Sequence, residues 1–117
     1  MATRGRSARQ KGCSYEISIR NFFIKHGWDR CCSSRSESKN VDNSKVDLCF
    51  TKPFNVQAKA VENLGALHKV LSEMPADDNY NLVFHKKNHC GTVVAMSLDD
   101  FSEILQMLIV NGIIKPT

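Results

Sequence analysis

Val46-Asp47-Leu48-Cys49-Phe50, then Thr51-Lys52-Pro53-Phe54, then Val56-Gln57-Ala58-Lys59-Ala60: these residues decide the fold and the chemistry of the chain. In the first run Val46, Leu48 and Phe50 alternate with Asp47 and Cys49. In the last, Val56, Ala58 and Ala60 alternate with Gln57 and Lys59. Alternation of this kind is the mark of a strand with one apolar face. The connection between the two is of hairpin length. An antiparallel hairpin centred near Lys52 sets Asp47 directly opposite Gln57, with Cβ atoms about 5 Å apart. Gln57 and Lys59, two apart, leave the same face.

Outward from this hairpin the chain reads as alternating elements. Residues 1–10 read as a flexible basic arm, and residues 11–114 as one domain. Tyr15, Ile19, Phe22 and Phe23 recur at helical spacing between Lys11 and Gly27, and Gly27 is a natural stop. Trp28 to Cys32 reads as a short edge strand. Ser33 to Lys45 is polar, with five Ser and two Asn, and reads as a loop. Leu64, Leu67, Leu71 and Met74 predict a second helix from about Glu62 to Met74. Asn81–Lys86 and Thr92–Met96 read as strands around the turn Lys87–Gly91. Ser97, with Asp100 three residues on, predicts the N-cap of a last helix that Gly112 ends. The predicted order is α-β-β-β-α-β-β-α: an α/β fold with a mixed central β-sheet flanked by helices.

Composition narrows the function classes. The chain has 117 residues, enough for one core and too few for two. It has no apolar run long enough for a membrane span and no secretory h-region at its start, so a cytoplasmic location is expected. Five cysteines, odd in number and without a CxxC pair, point to free thiols rather than a disulfide framework or a zinc site. Sixteen Lys and Arg stand against twelve acids. Arg4, Arg6, Arg9 and Lys11 crowd the N-terminus and serve either a polyanionic partner or solubility.

The chemistry gathers in Glu16, Asp47, Gln57 and Lys59. A hard cation such as Mg²⁺ takes oxygen ligands, commonly one or two carboxylates plus water and substrate phosphate. Asp47 supplies the central carboxylate, Gln57 an amide oxygen, and Glu16, beside the apolar stripe of the first helix, a second carboxylate. Such an ion activates water and offsets charge on an attacked phosphate. Lys59 is placed to orient the water or neutralise the developing oxyanion. Plainer roles exist for each. Glu16 has the i,i+4 spacing to pair with Arg20, worth a few tenths of a kcal/mol. Lys59 suits a solvated edge strand. Asp47 in an apolar strand is harder to explain, because a carboxylate there is costly unless paired or metal-bound.

Asp47, nine intervening residues, and Gln57-Ala58-Lys59 resemble the core motif of the PD-(D/E)XK nucleases. Lys11-Gly12 followed by Glu16, and Gly27-Trp28, Arg30 and Ser33-Ser34 after them, resemble the opening of the archaeal-type Holliday-junction resolvases. Leu82–Asn88 through Val93–Met96 resemble their closing hairpin. The resemblance covers about Lys11 to Leu108. It implies a restriction-endonuclease-like core and a Mg²⁺-dependent endodeoxyribonuclease, with Mn²⁺ as a substitute. Glu16, Asp47, Gln57 and the Ala58 carbonyl would be metal ligands, and Lys59 would be catalytic with Asp47 and Glu16. Ser33 or Ser34 would approach the scissile phosphate. Arg30 would contact the DNA backbone, joined by Arg35 of the polar loop and by Lys11, Arg9 and Arg6 of the arm. Gln57 stands where Glu is more usual, which removes one negative charge and implies weaker metal affinity or fewer tightly held ions.

The expected substrate is branched DNA, bound through its phosphates and recognised by shape. A restriction- or repair-type nuclease acting on linear duplex, and an inactive DNA-binding module, are the alternatives. A symmetric homodimer is expected, since a four-way junction offers two equivalent strands. The last helix, with Met107, Ile109, Val110, Ile113 and Ile114, is more apolar than one buried face requires; it serves a subunit interface or core packing.

Overall fold

The computed structural model describes residues 3–34, 45–61 and 64–117, and for residues 3–11 and 13 the backbone alone. Helix α1 spans Thr3–Lys25. Tyr15, Ile19 and Phe23, at i, i+4 and i+8, are all buried, whereas Phe22, expected in the same stripe, is 47% exposed. The helix closes as glycine allows. Gly27 takes φ 111°, its N–H donates to the Ile24 carbonyl, and the Trp28 N–H reaches back to the Phe23 carbonyl at 3.0 Å. Trp28 then packs edge-on against the Phe23 ring. The start of α1 departs from the expected flexible arm: residues 3–10 continue the helix. That stretch has no proline and is rich in Arg, Ala and Gln, which lose little freedom in a helix.

The strands that follow are β1 (Cys32–Ser33), β2 (Leu48–Cys49) and β3 (Phe54–Lys59). Helix α2 (Leu67–Glu73) leads to β4 (Tyr80–Lys87) and β5 (Gly91–Ala95), and α3 (Leu98–Val110) comes last. The chain is therefore a compact α/β fold, with three helices among the described residues. β3 and β4 pair in parallel, with Gln57 beside Val83 and Lys59 beside His85. A parallel pair needs a crossover, and α2 lies within it. β4 and β5 form an antiparallel hairpin whose turn uses left-handed His89 (φ 61°) and Gly91 (φ 77°).

Where one central sheet is expected, the described strands form two: β1-β2, antiparallel, and β3-β4-β5. The edge strand expected over Trp28–Cys32 is confined to Cys32–Ser33, and the strand expected over Val46–Phe50 is confined to Leu48–Cys49. Lys45 and Phe50 both take left-handed backbone, with φ 65° and 60°, which ends the extended run on either side. The seam between the two sheets is nevertheless bonded. Asp47 N–H donates to the Val56 carbonyl at 2.7 Å, and the Ala58 N–H donates to the Asp47 carboxylate Oδ2 at 2.7 Å. A side chain thus takes the place of the next backbone rung. α2 also starts later than Glu62, at Leu67. Gly65 is a poor helix former, and the Ala66 cap offers no side-chain oxygen; Glu62 itself lies outside the described residues.

The core lies between α1 and one face of the strands. Tyr15, Ile19 and Phe23 meet Cys31, Leu48, Val56, Leu82 and Phe84, with Trp28, Phe54 and Ala58 at the margin. Even-numbered residues of β3 therefore face α1, and Asn55, Gln57 and Lys59 face away. At the start of α3 the Ser97 hydroxyl accepts from the Asp100 N–H at 3.1 Å, as the capping pattern predicts. Its far end closes on Gly112 at φ 71°, with the Ile113 N–H on the Leu108 carbonyl. No residue of α3 is buried, and Phe101 is 49% exposed.

Leu48 is 2% exposed and ties the short β2 to this core. Leu48→Ala should cost about 3 kcal/mol of stability, in the range for buried leucines that leave a cavity, read as a lower urea midpoint with unchanged slope.

Candidate functional site

The row Asn55, Gln57, Lys59 on the outer face of β3 contains two polar side chains that are themselves buried, Asn55 at 7% and Gln57 at 8% exposure. Their surroundings differ. The Asn55 amide donates to Asp77 Oδ1 at 3.0 Å and to Asn81 Oδ1 at 2.8 Å, and its oxygen accepts from Asn79 Nδ2 at 3.3 Å. Asn81 is fixed in turn by the Pro75 carbonyl. This asparagine network joins the first residues of β3 and β4. Gln57 Oε1, by contrast, is buried and has no hydrogen-bond partner among the described residues. A buried carbonyl oxygen left unpaired costs about 1–3 kcal/mol, so a folded chain keeps one where a ligand supplies the missing partner or a strain is tolerated.

Asp47 brackets this glutamine. It was expected directly opposite Gln57, but its backbone bonds Val56 and its carboxylate bonds Ala58, one residue to either side. Since Leu48 faces the core, Asp47 faces outward with Gln57 and Lys59. The N–H and C=O of one strand residue leave by the same edge. The Ala58 carbonyl therefore leaves β3 on the side where Asp47 lies. Ser34 is fully buried and joins from β1, its N–H donating to the Asp47 carbonyl at 2.8 Å. Ser33 is the cross-strand partner of Leu48 and is only half-buried. Of the two serines, Ser34 is the one held against Asp47. Lys59 is half-buried at the end of the row.

Glu16 is 9% exposed on α1. Because α1 covers the other face of β3, Glu16 belongs to the opposite layer from Gln57. Arg20 donates both of its bonds to Asn21 Oδ1. The Arg30 guanidinium lies 4.7 Å above the Phe50 ring. Arg35, and the side chains of Arg6, Arg9 and Lys11, lie outside the described residues. Among the described residues no three His, Cys, Asp or Glu side chains gather closely enough to hold a metal ion. A set built from Asp47, an amide and a backbone carbonyl is of a different composition. The chemistry of its donors, all oxygen, suits Mg²⁺ or Mn²⁺ rather than zinc.

No family model, curated protein or solved structure matches the chain. The site therefore stands on its own geometry. No helix among the described residues is long and apolar enough to cross a membrane.

A second concavity, of about 760 Å³, opens at the tip of the β2–β3 hairpin and was not expected from the sequence. Trp28, Arg30, Phe50, Lys52 and Phe54 line it. The Trp28 indole N–H donates to the Lys52 carbonyl at 2.8 Å, pinning the tip to the end of α1. The buried Thr51 hydroxyl donates to the Phe54 carbonyl at 2.7 Å and fixes the turn from inside. Phe50 carries left-handed backbone at φ 60°, an arrangement that costs a side-chain-bearing residue about 1–2 kcal/mol. The available signal was the density of aromatic residues around Lys52-Pro53. Nothing in a non-glycine sequence announces a left-handed phenylalanine.

The described cysteines are unbridged thiols. Burial, reinforced by Cys32, pushes the Cys31 thiol from 9.0 up to about 11, against a smaller opposing effect of Arg20. Burial also raises the Tyr15 hydroxyl, partly offset by its bond to Thr92. Both groups are held neutral in the folded chain. The contribution of Cys31 to stability is whole below the ordinary thiol value of 9.0 and is lost as pH climbs toward about 11, and that of Tyr15 is whole below 10.0 and is lost above it. Thermal melts should therefore be level from neutral pH up to 9 and fall beyond it, and Cys31→Ala should flatten part of that fall.

Proposed function

We propose that the chain is a metal-dependent DNA endonuclease with a restriction-endonuclease-like core, acting on branched DNA. The observation that carries this reading is the buried Gln57 Oε1, without a hydrogen-bond partner among the described residues, one position along β3 from the Ala58 N–H that the Asp47 carboxylate accepts. An outward-facing carboxylate, a desolvated amide oxygen and a carbonyl leaving by the same strand edge are the donors a hard cation takes. Asp47, Gln57 and the Ala58 carbonyl are the assigned ligands. Glu16, on α1 in the layer opposite Gln57, is assigned as the second carboxylate through a bridging water at the edge of β3.

A divalent cation held by these donors supplies an activated water and charge neutralisation at the phosphate. The chain's own residues do the rest. Lys59, on the same face as Gln57, steadies the nucleophile or the developing oxyanion. Ser33 or Ser34 is assigned to the scissile phosphate; Ser34 is pinned by its backbone to Asp47, and Ser33 is the more exposed of the two. Arg30, Arg35, Lys11, Arg9 and Arg6 are assigned to phosphates along the DNA. A net charge of +4 favours that encounter without fixing sequence. The mixed pairing around β3, antiparallel bonding toward β2 and a parallel partner across α2, supports the restriction-endonuclease-like core.

Asp47→Asn tests the assignment with little damage to the fold, because an asparagine oxygen still accepts from the Ala58 N–H. Cleavage of a synthetic four-way junction in Mg²⁺ or Mn²⁺ should fall by at least about a thousandfold, while junction binding in EDTA stays within about threefold. Gln57→Leu should raise the melting temperature of the metal-free protein and abolish the rise that Mn²⁺ gives the parent. An Asp47→Asn protein that cuts like the parent ends the reading. Equal cutting of junction and linear duplex favours a restriction- or repair-type enzyme. Junction binding without metal-dependent cutting by the parent favours a binding module.

We read the active form as a homodimer joined through α3 and β5. α3 carries Leu98, Phe101, Ile104, Leu105, Leu108 and Ile109 along one side and Asp99, Asp100, Ser102, Glu103 and Gln106 along the other, yet has no buried residue, so its apolar stripe is left to be covered. Leu98, Phe101, Met107, Val110, Ile113 and Ile114, with Val93 and Val94 of β5, are all at least 41% exposed. Not all of them share one side, and the interface is assigned to the Leu98–Phe101 side of α3 with the exposed edge of β5. A second copy is the occupant, because two equivalent sites match the two-fold symmetry of a four-way junction. Sedimentation should show a dimer, and Phe101→Asp should give a monomer with impaired paired incision.

A further inference from the structure

We infer that the cleft at the β2–β3 tip is a stacking subsite for an unpaired nucleotide. The inference rests on the DNA-processing reading above and goes beyond it by naming what part of the substrate enters. The cleft combines aromatic walls, Trp28, Phe50 and Phe54, with two cations, Arg30 and Lys52, and one acid, Asp29, among its lining residues. An unstacked base needs an aromatic face, and the phosphate beside it needs positive charge; this pairing of features is how single strands are held without sequence preference.

Phe50 is the centre of the site. It is 46% exposed although it is among the largest apolar side chains in the hairpin. Its backbone is held in the left-handed region, which turns the ring outward instead of into the core. Residues held in such conformations concentrate at ligand sites. The Arg30 guanidinium lies 4.7 Å over the ring, so the cation caps one face of Phe50 and itself offers a plane on which a base stacks. The frame around that platform is fixed in advance. Trp28 is tied through its indole N–H to the Lys52 carbonyl, and Thr51 to the Phe54 carbonyl. With its one donor committed, Trp28 has only its ring faces to give a ligand.

The subsite also lies in line with the metal ligands. Phe54 and Asn55 in the cleft wall are two to three residues before Gln57 on the same strand, about 7–10 Å at the rise of a β-strand. That is roughly one nucleotide step of an extended strand. A base at the branch point of a junction, where stacking is interrupted, can therefore enter the cleft while the neighbouring phosphodiester faces Asp47 and Gln57.

Trp28 is the chain's single tryptophan, so its emission reports the cleft directly. The full chain is titrated in EDTA with an oligothymidylate of eight residues, and separately with a blunt hairpin duplex. Saturable quenching by the single strand, stronger than by the duplex, is the expected result. Phe50→Leu keeps apolar volume without a stacking face, and Arg30→Gln changes an exposed residue. Each should weaken the single-strand titration about tenfold or more, with melting curves confirming that both variants fold. Unquenched emission, equal quenching by duplex, or unchanged affinity in both variants overturns the inference. Because no metal is present, these outcomes are independent of cleavage. A parent protein that quenches but does not cut in Mn²⁺ removes the nuclease reading and leaves the subsite standing.

Discussion

Two hydrogen bonds hold the two sheets in register, and the second is made by a side chain: the Asp47 N–H on the Val56 carbonyl and the Ala58 N–H on the Asp47 carboxylate. The strands β1-β2 and β3-β4-β5 are not joined by a continuous ladder, and the backbone rung between Asp47 and Val56 needs a neighbour to fix its angle. The carboxylate supplies it at 2.7 Å. Charge-assisted bonds of this kind are shorter and stronger than neutral ones. The same contact aims Asp47 away from the core, toward the row that contains Gln57. Structural and proposed chemical demands on Asp47 thus coincide: the side chain that closes the seam between sheets is also the carboxylate assigned to the metal.

The contrast between Asn55 and Gln57 shows how the strand separates two tasks. Both are buried amides two positions apart on one face. Asn55 is satisfied on both of its polar ends by Asp77, Asn79 and Asn81, and serves as a rivet between the start of β3 and the start of β4. Gln57 lacks an acceptor's partner at Oε1. Had the face been purely architectural, an apolar residue beside Val83 would have been more stable than a desolvated amide. The expense falls at one position, beside the Ala58 N–H that the Asp47 carboxylate accepts.

The period-2 pattern of residues 46–60 and the 3.6-residue pattern of Tyr15, Ile19 and Phe23 made most of the architecture legible, because burial on one face leaves its trace in residue type. The coincidence of Asp47, Gln57 and Lys59 on one face followed from the same period. Three things did not follow. The N-terminal extension of α1 depends on propensity alone, without an apolar stripe. The division into two sheets depends on left-handed Lys45 and Phe50, residues that carry no glycine-like signal. The cleft depends on those same dihedrals and on the Trp28–Lys52 bond, a contact between residues 24 apart. Local pattern reports which face is dry; it does not report where a bulky residue bends the chain.

β5 closes the described sheet with one neighbour, β4, and an open outer edge. Val93 and Val94 point to opposite sides of it, and both are largely bare. Backbone donors and acceptors on such an edge, flanked by β-branched side chains and no proline, can template another strand. Association through α3 and β5 would then do more than pair two reaction centres. It would shield an adhesive margin, so that a chain deprived of its mate would be prone to disordered clumping rather than to life as a quiet monomer.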